Sequence, residues 1–337
     1  MPTEIPLEQL PNPGVLYDPT IEAQLSKLYS FSEIVSAVEP VTWVEKAQSA
    51  WRKFPIFSQN GSGSCVAQTL RKLLGVYIWL KTNVWVDLSA SHIYQRRVNR
   101  PAAGMGGTDA FEVARKGVTL EAFAPSENMT DSQMDNVVVA PFMEKVGETF
   151  KLGAYVTVAP FDIDIVASII QKTGKAVMVW FFFKNDEWTD VPTIKYPGLD
   201  RYAQTTARHS LAAVDFTLYK GEKALIIDDS WGLAYAMNGQ RVITETWFKE
   251  RCFFVAHFQN FAFEEATIPK PKFLDQNVVT LQDCLKYEGV FPTNVASSGV
   301  YGAITTKAVK DFQTKYGLAV TGLISAETRA KLHALYP

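Results

Sequence analysis

The sequence predicts an α+β protein with two parts, a larger domain of helices and strands and a small compact domain at the C-terminus. Apolar residues recur at helical spacing over residues 65–82, whereas several segments after about residue 150 are rich in β-branched and aromatic residues. A stretch around residue 270 combines prolines with charges and has the composition of a linker. Because helices precede strands, we expect the larger domain to have a helical half and a sheet half.

The predicted elements follow in chain order. Residues 1–50 form an N-terminal extension with helical stretches at 21–28 and 44–51, which is either an inhibitory pro-segment or a structural arm. The main domain spans 51–262 and is followed by a linker at 263–279 and a small domain at 280–337. Helices are expected at 65–82, 90–98 and 108–116. Strands are expected at 154–158, 176–183, 210–219, 223–228 and 252–261, with turns at 220–222 and 238–239.

Composition excludes several functional classes. The 337 residues carry a net charge of -2, which argues against a nucleic-acid-binding protein. No apolar run is long enough for a transmembrane helix, and no secretory signal is recognisable at the N-terminus. Three widely spaced cysteines favour neither a disulfide framework nor a metal site, so we expect no metal, no cofactor and synthesis in the cytoplasm.

Cys65 is the candidate nucleophile. The glycine-rich segment 59–64 leads directly into the predicted helix that Cys65 begins. Unpaired N–H groups and the positive end of the helix dipole lie at such an N-terminus, where they stabilise a thiolate. Cys252 and Cys284, in an apolar strand and in the small domain, are interpreted as buried structural cysteines.

Two further groups complete a mechanism for acyl transfer. Gln59 lies six residues before Cys65 across a tight turn, so its amide and the Cys65 N–H are the expected donors to an oxyanion. His209 begins one predicted strand and Asp229 ends the next, and a hairpin brings these positions together. We therefore expect His209 to act as the base and Asp229 to orient its ring. The remaining histidines are interpreted as structural or surface residues: His92, His257 and His333.

At these residues the sequence resembles the papain family of cysteine peptidases. Gln59 and the Gly63-Ser64-Cys65 turn match the family's oxyanion glutamine and nucleophile, and His209 matches its base. Asp229-Ser230-Trp231-Gly232 is similar to the family's Asn-Ser-Trp-Gly motif, and Gly106-Gly107 is similar to a glycine pair that lines the substrate cleft. The resemblance covers about residues 50–262 and implies a two-lobed fold, with a helical lobe and a β-barrel-like lobe. It implies substrate contacts by Gly106, Gly107 and Trp231, with Trp231 shielding the His209–Asp229 pair from water.

The sequence departs from the papain family at several positions. Asp229 stands where the family usually has asparagine, and an aspartate can still accept the imidazole N–H. Ser62 replaces a cysteine that the family normally uses in a disulfide, and Val66 replaces the usual tryptophan after the nucleophile. The N-terminal extension is also shorter than the family's usual pro-segment.

The C-terminal segment resembles the small three-helix peptidoglycan-binding domain. The matching residues are Leu281, Gln282, Leu285, Gly299, Val300, Tyr301, Gly302, Thr305, Ala308, Val309, Phe312, Gln313, Gly317, Leu318, Thr321, Gly322, Thr328 and Leu332. Most of this pattern is core and turn chemistry, so it specifies the fold more strongly than the ligand. The resemblance implies binding to bacterial peptidoglycan.

Together the two resemblances predict a cysteine peptidase that cleaves peptide bonds of peptidoglycan, as in a phage-type endolysin or cell-wall hydrolase. One alternative is a general or wall-protein cysteine protease that anchors on the wall. A second is an inactive papain-like component of a virion. The expected partners are peptidoglycan and a peptide substrate, without nucleic acid or membrane, and we expect a monomer. The protein would reach the wall by lysis, export or delivery on a particle.

Overall fold

The architecture is that of a computed structural model. It describes residues 15, 40–82, 85–158, 161–198, 207–262, 272–292, 295, 297 and 299–337. The helix predicted at 21–28 therefore lies outside the described residues.

The first half of the main domain is helical. A long helix, α1 (Cys65–Thr82), is buried from Cys65 to Ile78, as its apolar periodicity predicts. The following helices are α2 (Ala90–Tyr94), α3 (Gly107–Lys116), α4 (Asp131–Asp135) and α5 (Pro141–Gly147). The predictions at 65–82 and 108–116 are confirmed, whereas the helix predicted at 90–98 ends at Tyr94.

The described strands form one six-stranded antiparallel sheet in the order β1-β6-β2-β3-β4-β5. They are β1 (Lys151–Val158), β2 (Val177–Phe183), β3 (Ala207–Tyr219), β4 (Glu222–Asp228), β5 (Gln240–Thr244) and β6 (Cys252–Ala262). Five strands were predicted from the sequence. The short strand β5 was missed because polar Gln240 and Arg241 open it.

Helices cover both faces of this sheet. Strand β2 is buried along its whole length, and alternate side chains such as Trp180 and Phe181 point to opposite cores. Helix α1 packs on one face, whereas α6 (Ile163–Thr173) and α7 (Glu245–Arg251) pack on the other. The α+β expectation, with helices first and strands later, is confirmed, and α6 and α7 are two helices that lie between strands in the sequence.

The helix predicted at 44–51 is wrong, because hydrogen bonding to strand β3 holds the start of this segment extended. The Leu218 N–H donates to the Val44 carbonyl at 2.9 Å, and the Trp43 indole donates to Asp164 at 2.7 Å. Only a short 3-10 turn, Gln48–Ala50, remains helical.

The C-terminal domain has a hydrophobic core of its own. Its described helices are α8 (Val278–Tyr287), α9 (Ala303–Lys315) and α10 (Ala326–Leu335). Leu285, Phe312 and Leu332 meet in this core, and the Gln313 side chain holds the loop at Thr321 and Gly322 by accepting their two N–H groups at 2.9 Å each. Within the part of the chain that the structure describes, no helix is long and apolar enough to cross a bilayer.

Candidate active site

Cys65 lies where a tight turn meets the first turn of α1. Asn60 (φ 45°) and Gly61 (φ 77°) adopt the left-handed conformation, and the Ser62 N–H donates to the Gln59 carbonyl at 2.8 Å. The chain reverses there and enters the helix at Cys65, which is completely buried. The sulfur therefore lies beside helix N–H groups that have no partner within the helix.

The β3–β4 hairpin brings His209 to Asp229. Ala212 pairs with Asp228 across the hairpin, so the start of β3 lies beside the residue that follows β4. His209 Nε2 and Asp229 Oδ1 are 2.8 Å apart, and both side chains are completely buried. Cys65 also interacts with the His209 ring, so the structure brings the three predicted residues into one contact chain.

The electrostatic surroundings of His209 favour its charged imidazolium form. Burial alone would lower the pKa of His209, but the charge and hydrogen bond of Asp229 together with Cys65 outweigh burial and raise this pKa to about 9. Burial would likewise raise the pKa of Asp229, but Arg241 and His209 lower it to about 2. An imidazolium beside an ionised carboxylate is therefore the arrangement that this site supports at neutral pH.

Arg241 is a buried member of the site that the sequence did not reveal. Its Nε donates to Asp229 Oδ2 at 2.6 Å, and only 3% of the residue is exposed. The signal in the sequence is a charged residue in the short segment that forms β5. Its partner, Asp229, could be recognised only once the pairing of Ile227 in β4 with Arg241 in β5 was known.

Two tryptophans enclose the histidine. The Trp231 ring lies 5.4 Å from the His209 ring and the Trp188 ring lies 6.0 Å from it, between ring centroids. Both indoles are almost fully buried, and the Trp188 N–H also approaches Asp229 Oδ2 at 3.3 Å. Both rings therefore pack against the buried His209–Asp229 pair, and the shielding from water that the resemblance implies for Trp231 stays a prediction.

Gln59 is held by contacts with the loop after β4 and with the turn that precedes Cys65. Its backbone N–H donates to the Ser230 carbonyl at 2.8 Å, and its Oε1 accepts from the Ser230 hydroxyl at 2.7 Å. Its Nε2 donates to the Ser62 carbonyl at 2.6 Å. The amide nitrogen is thereby directed toward the turn that precedes Cys65, because the oxygen is held on the opposite side.

The glycine pair lies at the start of α3. Gly106 is the N-cap of this helix and Gly107 is its first residue. A Cβ on Gly107 would lie 2.2 Å from Cη2 of Trp180, which is adjacent in β2 to the residue paired with His209. Gly107 is therefore required by packing against Trp180, whereas the nearest atom to a Cβ on Gly106 is 4.0 Å away.

The other histidines and cysteines lie on other elements. Burial lowers the pKa of His92 in α2 and of His257 in β6 to about 4, so both are neutral at physiological pH. Cys252 and Cys284 are completely buried in β6 and α8. Among the described residues, no group of three or more His, Cys, Asp or Glu side chains is arranged to hold a metal ion.

Residues 275–332 match the family model of the putative peptidoglycan binding domain. No curated protein matches the sequence. Among solved structures, the chain is similar to xylellain, a cysteine protease from Xylella fastidiosa, with a TM-score of 0.55 and 17% identity over 73% of this chain and 95% of that one. A procathepsin L2 proteinase from Tenebrio molitor larval midgut has a TM-score of 0.55 and 16% identity over 76% and 81% of the two chains. The clostridial cysteine protease Cwp84 has a TM-score of 0.50 and 16% identity over 64% and 56%.

These similarities confirm both family resemblances at the level of the fold. The solved structures share less than a fifth of their residues with this chain, so the fold is what they establish. Residues 275–332 are thus a putative peptidoglycan binding domain, and the domain before them has the fold of the papain-like cysteine proteases.

Proposed function

We propose that this protein is a cysteine endopeptidase that cleaves peptide bonds of bacterial peptidoglycan. The observation that carries the proposal is the buried chain of Cys65, His209 and Asp229 at the N-terminus of α1, in a protein that also has a peptidoglycan-binding domain. The proximity of the thiol to a histidine that prefers its charged form supports a nucleophilic thiolate.

The reaction begins with attack of the Cys65 thiolate on the carbonyl carbon of the scissile bond. Negative charge moves to the carbonyl oxygen, where the Gln59 amide and the Cys65 N–H stabilise it by hydrogen bonds. The carbon–nitrogen bond then breaks as His209 donates its proton to the leaving amine, which leaves a thioester on Cys65. Asp229 holds the ring in the orientation that this transfer requires.

Hydrolysis of the thioester completes the cycle. Neutral His209 takes a proton from a water molecule as that water attacks the thioester carbonyl. The carbon–sulfur bond breaks, a carboxylic acid leaves, and Cys65 is again a thiolate beside an imidazolium. No cofactor takes part in this scheme.

The C-terminal domain supports peptidoglycan as the substrate. A domain that binds the wall raises the local concentration of wall peptides around the tethered active site. A protease that merely anchors on the wall would benefit from the same tether, so the substrate itself must be tested.

The test is mass spectrometry of the soluble fragments that the protein releases from purified peptidoglycan. Wild type, Cys65→Ala and the matched control Cys252→Ala are compared, with a casein digest in parallel. New peptide termini with wild type and Cys252→Ala, and their loss with Cys65→Ala, are expected.

Two other outcomes would overturn the proposal. Cleavage of casein with intact peptidoglycan would indicate an anchored protease. No cleavage of either substrate, including by a chain that starts at residue 40, would indicate an inactive structural component.

A further inference from the structure

Arg241 is a buried residue that joins Asp229 to the backbone at Thr189 by hydrogen bonds. Its Nε donates to Asp229 Oδ2 at 2.6 Å, and its Nη1 donates to the Thr189 carbonyl at 2.6 Å. The guanidinium lies 4.7 Å from the Trp188 ring centroid and 5.4 Å from that of Trp231. Two hydrogen bonds and two aromatic neighbours therefore fix one orientation of this buried cation.

The two oxygens of Asp229 have different partners. Oδ1 contacts His209 Nε2, whereas Oδ2 accepts from Arg241 and faces the Trp188 N–H. Arg241 therefore acts on His209 only through the carboxylate. In the proposed mechanism the buried charges balance, because the Cys65 thiolate and the imidazolium lie beside a carboxylate and a guanidinium.

We propose that Arg241 is a positioning residue of the active site, which compensates the charge of Asp229 so that this carboxylate orients His209 without holding its proton too tightly. This inference rests on the proposed function, because it assumes catalytic parts for His209 and Cys65. An uncompensated aspartate would stabilise the imidazolium and slow the step in which neutral His209 must accept a proton from water. With Arg241, the ionised aspartate still accepts the imidazole N–H, while the guanidinium offsets part of its charge.

Among the described residues, the ionisable groups that interact with His209 come from two elements. Cys65 at the start of α1 and Asp229 after β4 interact with the ring directly, and Arg241 from β5 lies behind Asp229. The side chains of Trp188 and Trp231, which also pack on the ring, carry no charge. Changes at Asp229 and Arg241 should therefore dominate the electrostatic response of His209.

The inference predicts opposite effects for two single variants. Arg241→Met leaves Asp229 uncompensated and raises the pH at which His209 loses its proton by about one pH unit. Asp229→Asn leaves a buried guanidinium without its counterion and lowers that pH by about one pH unit. The double variant Asp229→Asn with Arg241→Met removes both charges, so its pH dependence should return close to that of wild type.

The experiment measures the rate at which iodoacetamide alkylates Cys65 in the full-length protein as a function of pH, with the alkylated residue identified by peptide mass spectrometry. Its alkaline limb reports the loss of the proton from His209. The same variants are assayed for kcat/KM on the cleaved substrate, where the double variant should exceed Asp229→Asn about tenfold or more because no buried charge is left unpaired.

Two further variants separate positioning from simple support of the fold. Arg241→Lys keeps the charge and should keep the wild-type limb, even if Arg241→Met does not fold. Arg97→Met removes another buried arginine that pairs with a carboxylate, Asp135, at 2.6 Å and should lower the melting temperature without moving the limb.

The outcomes distinguish this inference from the proposed function, because alkylation needs no substrate. If the limb shifts in opposite directions in Arg241→Met and Asp229→Asn while peptidoglycan stays uncut, the positioning role of Arg241 is supported and peptidoglycan is rejected as the substrate. Cleaved peptidoglycan with identical limbs in Arg241→Met and wild type would reject the role of Arg241. A shift in Arg241→Lys as large as that in Arg241→Met, no gain of the double variant over Asp229→Asn, or the absence of any alkaline limb in wild type would also overturn it.

Discussion

Single residues set the charge state on which the proposed chemistry depends. His209 is completely buried and would be neutral if burial acted alone, yet Asp229 at 2.8 Å and Cys65 favour its charged form. Asp229 itself stays ionised because Arg241 and His209 outweigh its own burial. In the proposed mechanism, the proton that the leaving amine takes is therefore already on His209 before substrate binds.

The pH dependence of activity follows from this charge state. The pKa of His209 is raised to about 9, so its imidazolium is present below that pH and is lost above it. We expect kcat/KM on a cleaved peptide to fall as pH rises through about 9. Steady-state kinetics from about pH 6 to about pH 10 test this, with thermal unfolding at each pH as the control. Activity that stays constant through this range would contradict the assignment of the general acid.

The oxyanion role of Gln59 makes a second prediction. Gln59→Ala should lower kcat about 10²- to 10³-fold, because one donor to the developing charge is lost. Ser230→Ala removes the hydroxyl that holds Gln59 Oε1 at 2.7 Å and should lower kcat less, because the amide itself remains. Single-turnover kinetics measure both effects. Equal losses in the two variants would mean that Gln59 only supports the loop.

At the scale of elements, the sheet joins the parts of the site. Strands β3 and β4 bring His209 to Asp229, and β5 adds Arg241 behind them. Strand β2 runs beside β3 and places Trp180 directly against the first residue of α3. The stacking of Trp180 on Phe254, with centroids 4.2 Å apart, leaves the indole little freedom to move.

This packing predicts different effects for the two glycines. A Cβ on Gly107 would lie 2.2 Å from the Trp180 indole, so Gly107→Ala should destabilise the protein by about 1–3 kcal/mol through overpacking. A Cβ on Gly106 would lie 4.0 Å from its nearest neighbour, an ordinary contact, so Gly106→Ala should change the free energy of unfolding by no more than about 0.5 kcal/mol. Urea denaturation of both variants measures the difference. Equal destabilisation would show that Trp180 can move away.

Elements also show what the sequence could and could not predict. Local signals were sufficient for α1, which apolar periodicity marks, and for the β3–β4 hairpin, which a glycine turn marks. They were misleading at 44–51, where hydrogen bonds to the sheet override a helical pattern. Arg241 and Trp188 could not be assigned to the site, because only the tertiary pairing of β5 and the packing of distant aromatics bring them to Asp229.

At the scale of the whole molecule, the protein combines a papain-like fold with a putative peptidoglycan binding domain that has its own core. If this domain acts by tethering, removal of residues 263–337 should slow release from intact peptidoglycan but leave cleavage of a short soluble peptide unchanged. Paired release and peptide assays test this. Circular dichroism of the truncated chain is the control, and an equal loss in both assays with an intact fold would contradict tethering.

The most direct test of the central claim is a search for the covalent intermediate on Cys65. Wild type is mixed with purified peptidoglycan fragments, quenched with acid and analysed by intact-mass and peptide-mapping mass spectrometry. The account predicts a thioester adduct on Cys65 whose added mass equals the acyl part of a wall peptide, and no adduct in Cys65→Ala. Release of wall peptides that persists in Cys65→Ala, with no adduct on Cys65 in wild type, would contradict it.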